Sequence, residues 1–282
     1  MAYKTLTTVV TAPEDAEAAI AGAARLALAC DAHLDILALG IDRTQMGYAY
    51  IGGGAVLMQV AMDRAEADAR ATEAAVRAAL QGQPVGLRWS VEGAITQIGA
   101  LGELVALRAR FSDLVVLPRP YGKGKGSESE AVIEAALFEG QAPVMVLPDQ
   151  SAPGFGLPQR VVIGWNQSAE AMTAVRRALP MLTAAQQVNI AVIDPPQHGP
   201  ERSDPGGALC QMLVRHGVRA EVSVLARTMP RISDVLNRHA RDLNADLLVM
   251  GAYGHSRFRE AILGGATRNM LEQAELPVLM AH

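Results

Sequence analysis

The chain has 282 residues, half of them hydrophobic and 19% charged, which is the balance of a globular protein with room for one large domain or two ordinary ones. A net charge of −4 and an aromatic content of 4% leave neither a basic field for nucleic acid or anionic lipid nor an aromatic surface for stacking bases. No run approaches the roughly 20 apolar residues of a membrane span, and Met1–Thr5 does not start a signal peptide. A soluble, cytoplasmic protein is expected. Cys30 and Cys210 lie far apart in apolar helical contexts and read as reduced core residues, not as a disulfide or a metal pair.

In chain order, Leu6 to Thr11 reads as a strand, and Pro13-Glu14-Asp15 opens a helix, because acidic residues suit its positive end. The Ala- and Leu-rich stretch Ala16 to Cys30 continues that helix. His33 to Leu39 is the second strand. Asp42 to Leu57 follows, with Tyr48, Tyr50 and Gly52-Gly53-Gly54, and then a long helix from about Val60 to Leu80. Val85 to Val91 is the third strand, Ile95 to Arg110 a helix, Leu114 to Leu117 the fourth strand, Ser129 to Glu139 a helix, and Val144 to Leu147 the fifth strand. The Pro- and Gly-dense stretch Asp149 to Pro158 reads as a linker. The order then restarts: strand Arg160 to Trp165, helix Ser168 to Leu182, strand Val188 to Ile193, a Pro/Gly loop Asp194 to Gly207, helix Ala208 to His216, strand Ala220 to Leu225, helix Ile232 to Leu243. The buried-strand run Leu247 to Met250, helix Ala266 to Gln273 and a last apolar run close the chain.

The halves align. Ala32–Leu37 matches Gln186–Ala191, Asp113–Leu117 matches Asp246–Met250, and Ala142–Leu147 matches Leu276–Met280. Alternation of strand and helix in each half implies a mainly parallel sheet covered on both faces, with a ligand crevice at the carboxyl ends of the strands where strand order reverses.

The most telling stretch is the last. After the apolar run come Gly251-x2-Gly254, nine residues, Gly264-Gly265, Ala266 and Thr267. A strand feeding a Gly-rich loop and a helix start offers backbone N–H groups to a phosphate; a single Gly pair would read as a tight strand-to-helix connection without ligand, but the full G-x2-G-x9-G pattern in an α/β chain favours an ancestral phosphate site. This pattern resembles the C-terminal nucleotide motif of universal stress proteins, with Gly265 where that family carries Ser or Thr. With the repeat, the resemblance extends to a tandem universal stress protein of two Rossmann-like (adenine nucleotide alpha hydrolase-like) domains, each a five-stranded mainly parallel sheet flanked by helices. The domains are 1–148 and 159–282, joined by 149–158. The resemblance implies ATP or a related adenine nucleotide as a regulatory ligand, with Mg alongside it. It places Ile193 against the base, Met250 and Gly251 beside ribose and phosphates, and Gly254, Gly264, Gly265, Ala266 and Thr267 around the phosphates. It also pairs Val144–Leu147 with Val278–Ala281, making an intramolecular pseudo-dimer, with a homodimer and an unidentified protein as further partners.

The first half lacks the motif: Leu117-Pro118-Arg119-Pro120-Tyr121 stands where the second has Met-Gly-Ala-Tyr-Gly, and Glu128 and Glu130 near the next helix start would repel phosphate. Gly122 to Gly126 reads as a solvated loop rather than an anion site. In the second half Asn166 replaces the family's nucleotide-contacting Asp; it either hydrogen-bonds a ribose or base or, with Ser168, caps a helix. Trp165 stacks on a base or fills the pocket, packing being the simpler role. His255 and Arg257 lie in the Gly loop and bring positive charge to a phosphate, or sit at a solvated tip. Tyr48, Tyr50, Ile51 and Leu57 form an interaction patch or pack on the first domain, the latter being simpler. No metal-ligand spacing, G-x-S-x-G elbow or Walker lysine is present. No enzyme is expected beyond incidental ATP hydrolysis. The alternatives are an interaction scaffold with both sites lapsed, and, least supported, an ATP-pyrophosphatase lacking its Ser-Gly-Gly-x-Asp-Ser loop.

Overall fold

The computed structural model describes residues 2–44, 54–122, 125–148, 156–195, 203–252 and 265–282. The chain forms two compact units, one of Tyr3–Ala142 and one of Pro143–His282 with Met1–Ala2. The architecture is α/β, a mostly parallel sheet flanked by helices.

In the N-terminal unit the strands are β1 (Thr5–Val10), β2 (His33–Asp42), β3 (Arg88–Gln97) and β4 (Leu114–Pro118). They lie in the order β3-β2-β1-β4, each neighbouring pair parallel. The helices are α1 (Ala16–Cys30), α2 (Gly54–Gln81), α3 (Leu101–Ala109) and α4 (Ser127–Leu137). Helices α1 and α2 pack together, as do α3 and α4. The core strands are runs of Val, Leu and Ile buried on both faces, as parallel strands between helix layers must be. β3 departs from that rule. It is mostly exposed, and it runs over Arg88–Gln97 instead of the expected Val85 to Val91. Val85 lies before the strand, wholly exposed. The following helix accordingly starts only at Leu101, after a single 3₁₀ turn, Ile98–Ala100.

Helix α2 is longer than its periodicity suggests. It is seated by a buried stripe of Ala65, Ala69, Thr72, Val76 and Leu80 at helical spacing. The seat is close because β2 carries Gly40 there: a Cβ on Gly40 would lie 2.0 Å from the Ala65 carbonyl oxygen. Residues Val56 to Met62 precede that seat, and Leu57, expected to pack on the domain, is 60% exposed. Ahead of Ala65 the helix runs back about three turns to Gly54, and Met58, Ala61 and Met62 there line a shallow hollow with Asp42, Thr44 and Gln97.

The C-terminal unit holds β5 (Val144–Leu147), β6 (Arg160–Gly164), β7 (Gln187–Ile193), β8 (Ala220–Leu225), β9 (Leu247–Gly251) and β10 (Val278–Ala281) in the order β5-β10-β9-β6-β7-β8. All pairs from β10 to β8 are parallel. β5 joins antiparallel, with Val278 opposite Val146 and Met280 opposite Val144. This is the strand pairing that the resemblance implied. Helices α5 (Ala169–Ala184), α6 (Gly207–Arg215), α7 (Ile232–Asp242) and α8 (Ala266–Gln273) complete the unit.

The sequence repeat has a physical counterpart. Asp113, just before β4, accepts hydrogen bonds from the backbone N–H of Lys4 (2.7 Å) and Thr5 (3.0 Å) at the start of β1. Asp246, just before β9, does the same for Gln159 (2.8 Å) and Arg160 (3.0 Å) at the start of β6. In each unit one carboxylate satisfies the first N–H groups of the neighbouring strand and fixes its register. Both cysteines are free thiols. They are half-buried rather than core, and burial pushes the Cys30 thiol up to about 11, out of its reactive range.

Candidate functional site

β6 is the strand from which the C-terminal unit is wound both ways. The chain runs from β6 outward to β7 and β8, then returns to β9 on its other side. Strand order therefore reverses between β6 and β9, and a ligand crevice in such a sheet lies beyond their carboxyl ends. Gly164, the last residue of β6, is in register with Met250 of β9 and Ala191 of β7. Trp165, Asn166 and Ser168, Ile193, and Met250 and Gly251 thus come to one edge of the sheet. Gly265, Ala266 and Thr267 open α8. Gly254, His255 and Gly264, with Arg257, lie outside the described residues.

The loop after β6 is tightly ordered. The Trp165 backbone N–H donates to the Ala191 carbonyl at 3.0 Å. The Asn166 Oδ1 accepts from the Ser168 N–H at 3.1 Å, and Gln167 between them takes a left-handed φ of 64°. Ser168 caps α5, its Oγ accepting from the Ala171 N–H at 3.1 Å. Ser168 is the helix cap, and Asn166 shapes the turn while its side-chain NH2 stays exposed and without a partner among the described residues. The indole of Trp165 is 7% exposed, so it fills space and offers little ring face to a base. Its Nε1–H, however, has no acceptor among the described residues, and a buried unsatisfied donor costs about 1–3 kcal/mol.

The glycines differ in kind. A Cβ on Gly251 would stand 2.5 Å from the Ala171 nitrogen and 2.8 Å from the Glu170 carbonyl carbon, so this glycine lets β9 touch the first turn of α5. Gly265 has φ −61° and ψ 163°, a conformation open to any residue. It is the N-cap of α8 and supplies no side-chain acceptor; the first turn of that helix carries no acidic residue. Thr267 is buried. Two further polar atoms, Ser233 Oγ and Asn237 Oδ1, are buried without partners among the described residues on α7, whose Leu236 packs against Gly164. Sequence reasoning misses them; only their spacing of four on the inner face of an amphipathic helix marks them.

The corresponding edge of the N-terminal unit lies between β1 and β4. It holds a hollow lined by Val9, Thr11, Asp15, Leu117, Pro118, Ser129 and Val132, of about 20 Å³. That is room for a water, not for a ligand needing about 300 Å³ or more. Ion pairs lie around it. Lys125 Nζ meets Asp15 Oδ1 at 2.6 Å, with side chains only 15% and 27% exposed. Arg43 grips Glu128 with two bonds, 2.5 and 3.0 Å, and Tyr121 donates to Glu130 at 2.7 Å. Lys125 is therefore not part of a solvated loop: its long-range partner holds it down. Neutralising it alone, by Lys125→Met, is expected to cost about 1–3 kcal/mol because Asp15 is left partly buried and unpaired. The double variant Lys125→Met/Asp15→Asn is expected to regain at least half of that, as read from urea-unfolding midpoints.

Among the described residues no group of three His, Cys, Asp or Glu side chains could hold a metal, and no helix is long and apolar enough to cross a membrane.

The sheet, its reversal point and the helices on both faces define a Rossmann-like α/β protein. Residues 158–282 match the model of the universal stress protein family, and this segment is a domain of that family. A universal stress protein of Synechocystis sp. is 28% identical over 138 residues. That match covers 49% of this chain and 46% of the relative, so the chain spans about half the relative's length. Among solved structures, a universal stress protein from Archaeoglobus fulgidus superposes with a TM-score of 0.64 at 15% identity, covering 98% of this chain and 95% of that one. A functionally unknown protein from Pseudomonas aeruginosa PAO1 gives 0.55 at 13% identity, covering 99% and 92%. At these identities the likeness is one of fold, and it runs the length of the chain.

Proposed function

We propose that the chain is a tandem universal stress protein, with domains 1–148 and 159–282 joined by 149–158. In this reading the C-terminal domain takes ATP or a related adenine nucleotide, with Mg, as a regulatory ligand. The N-terminal domain keeps the fold without the site. The protein works in the cytoplasm as a binding protein rather than an enzyme, and any hydrolysis is slow.

The observation that carries this is the charge of two matching helix starts, each preceding the last strand of its half. The first turn of α4 holds Glu128 and Glu130. The first turn of α8 holds no acid, its cap is a glycine, and it follows the Gly-rich stretch. Only α8 suits an anion. The scaffold reading draws on Asn166, Gly265 and the buried Trp165, each of which departs from a tight nucleotide site.

Calorimetric titration with Mg-ATP separates the two. Saturable binding in the millimolar range or tighter is expected for the native chain. Ala266→Asp puts a carboxylate where the phosphates would sit, while favouring the helix end itself. It is expected to weaken ATP binding at least tenfold with an unchanged or higher melting temperature. No heat from the native protein at several millimolar nucleotide would leave the scaffold reading standing.

A further inference from the structure

Asp194 closes β7 at the carboxyl edge of the C-terminal sheet. It is exposed, and its carboxylate has no partner among the described residues. Its backbone is nonetheless held: the N–H donates to the carbonyl of Leu225, the last residue of β8, at 2.9 Å, and φ is 47°, in the left-handed region. Asp is one of the few side-chain-bearing residues that accept this conformation. Asp31, Gln141 and Asn244 adopt it after helices, where it serves to end them. Asp194 and Gln167 adopt it after strands, β7 and β6, on the edge where the crevice lies.

These two strands stay paired to their ends, since the Trp165 N–H reaches the Ala191 carbonyl. Neighbouring strands lie about 4.8 Å apart, so Asn166 and Asp194 stand on adjacent tips. The Asn166 Oδ1 is committed to the Ser168 N–H, which leaves its NH2 as a donor. The Asp194 carboxylate supplies acceptors only. A free donor beside free acceptors matches a cis-diol, whose hydroxyls each give one hydrogen and accept another.

The sheet order indicates which diol. Counted in chain order from β6, the strands β8-β7-β6-β9 lie in the order 3-2-1-4. In dinucleotide-binding sheets of that order, an acid beyond the second strand takes a ribose hydroxyl, and Asp194 holds that place. The N-terminal half is an internal control. Extending the match of Ala32–Leu37 with Gln186–Ala191 puts Gly40 at the position of Asp194, and there α2 leaves no room even for a Cβ. The half without the glycine motif also lacks the carboxylate.

We infer that Asp194, with Asn166 beside it, reads the 2′ and 3′ hydroxyls of a ribonucleotide and makes the site selective for ribose over deoxyribose. The inference rests on the reading that the C-terminal domain binds a nucleotide.

Calorimetric titration of the full chain with the Mg complexes of ATP, 2′-deoxy-ATP and 3′-deoxy-ATP tests it. The native chain is expected to bind ATP about tenfold more tightly than either deoxy form, the scale of a charge-assisted hydrogen bond at an exposed edge. Asp194→Gly removes the carboxylate and accepts the left-handed φ. It is expected to bind all three ligands within about twofold of one another, with an unchanged melting temperature. Asp194→Asn keeps one acceptor oxygen and is expected to fall between. Equal binding of ATP and both deoxy forms by the native chain overturns the inference and leaves the nucleotide reading intact. So does an Asp194→Gly chain that keeps the native preference. A native chain that binds none of the three overturns the nucleotide reading, and the inference with it.

Discussion

A Gly40→Val variant is expected to lose at least about 3 kcal/mol of stability, enough to unfold much of the N-terminal unit under ordinary conditions. The added Cβ would stand 2.0 Å from the Ala65 carbonyl oxygen, 2.7 Å from the Ala69 nitrogen and 2.8 Å from the Ala69 Cβ. Two of those three atoms are helix backbone, so no rotamer change makes room. Helix α2 as a whole must retreat from β2. Retreat lifts Ala69, Thr72, Val76 and Leu80 from a seat where each is at most 7% exposed. Ala69→Gly removes one of the three contacts and leaves the carbonyl in place. The pair Gly40→Ala/Ala69→Gly is therefore expected to remain far less stable than the native chain. Urea-unfolding midpoints measure both, and a Gly40→Ala midpoint within error of native would show that α2 is seated some other way.

The sequence makes the buried parts of the molecule legible and the exposed parts much less so. Leu114 to Leu117 and Leu247 to Met250 are found because a parallel strand between helix layers must be apolar on both faces. β3 is misplaced because it is an edge strand, mostly exposed: Trp89, Val91 and Ile95 alternate with Arg88, Ser90, Glu92 and Thr96, but the alternation carries almost no burial and gives no sharp start or end. The start of α2 is missed for the complementary reason. Its burial period begins only at Ala65, and it opens on the last of three consecutive glycines, Gly52 to Gly54.

At the candidate site, the order of strand, glycines and helix is local information and is visible in the sequence. The reach of a side chain across the fold is not. Lys125, between glycines, reads as solvated, yet its partner Asp15 lies 110 positions away. Glycine is the hardest residue of all to read. Gly251 and Gly265 belong to one motif, yet a contact with α5 demands the first and nothing in its backbone angles demands the second.

That difference decides how the nucleotide site can be probed. Gly251→Val is the obvious substitution for blocking a glycine-rich phosphate loop, and it is expected to damage the C-terminal unit instead. The new Cβ would press on the Ala171 nitrogen at 2.5 Å and the Ala171 Cα at 3.0 Å, within the turn that Ser168 caps. The Ala171 N–H is the donor to that cap, so displacing it also breaks the Ser168 bond, worth about 1 kcal/mol. Overpacking adds about 1–3 kcal/mol or more. Together these predict a loss of at least about 3 kcal/mol, read from chemical unfolding followed by the fluorescence of Trp165, a buried probe in the loop that leads to the cap. Loss of ATP binding in Gly251→Val would then report unfolding, whereas loss in Ala266→Asp with stability intact would report the ligand. Should Gly251→Val prove as stable as the native chain and still fail to bind nucleotide, β9 does not rest on α5 as described, and Gly251 belongs to the phosphate loop in its own right.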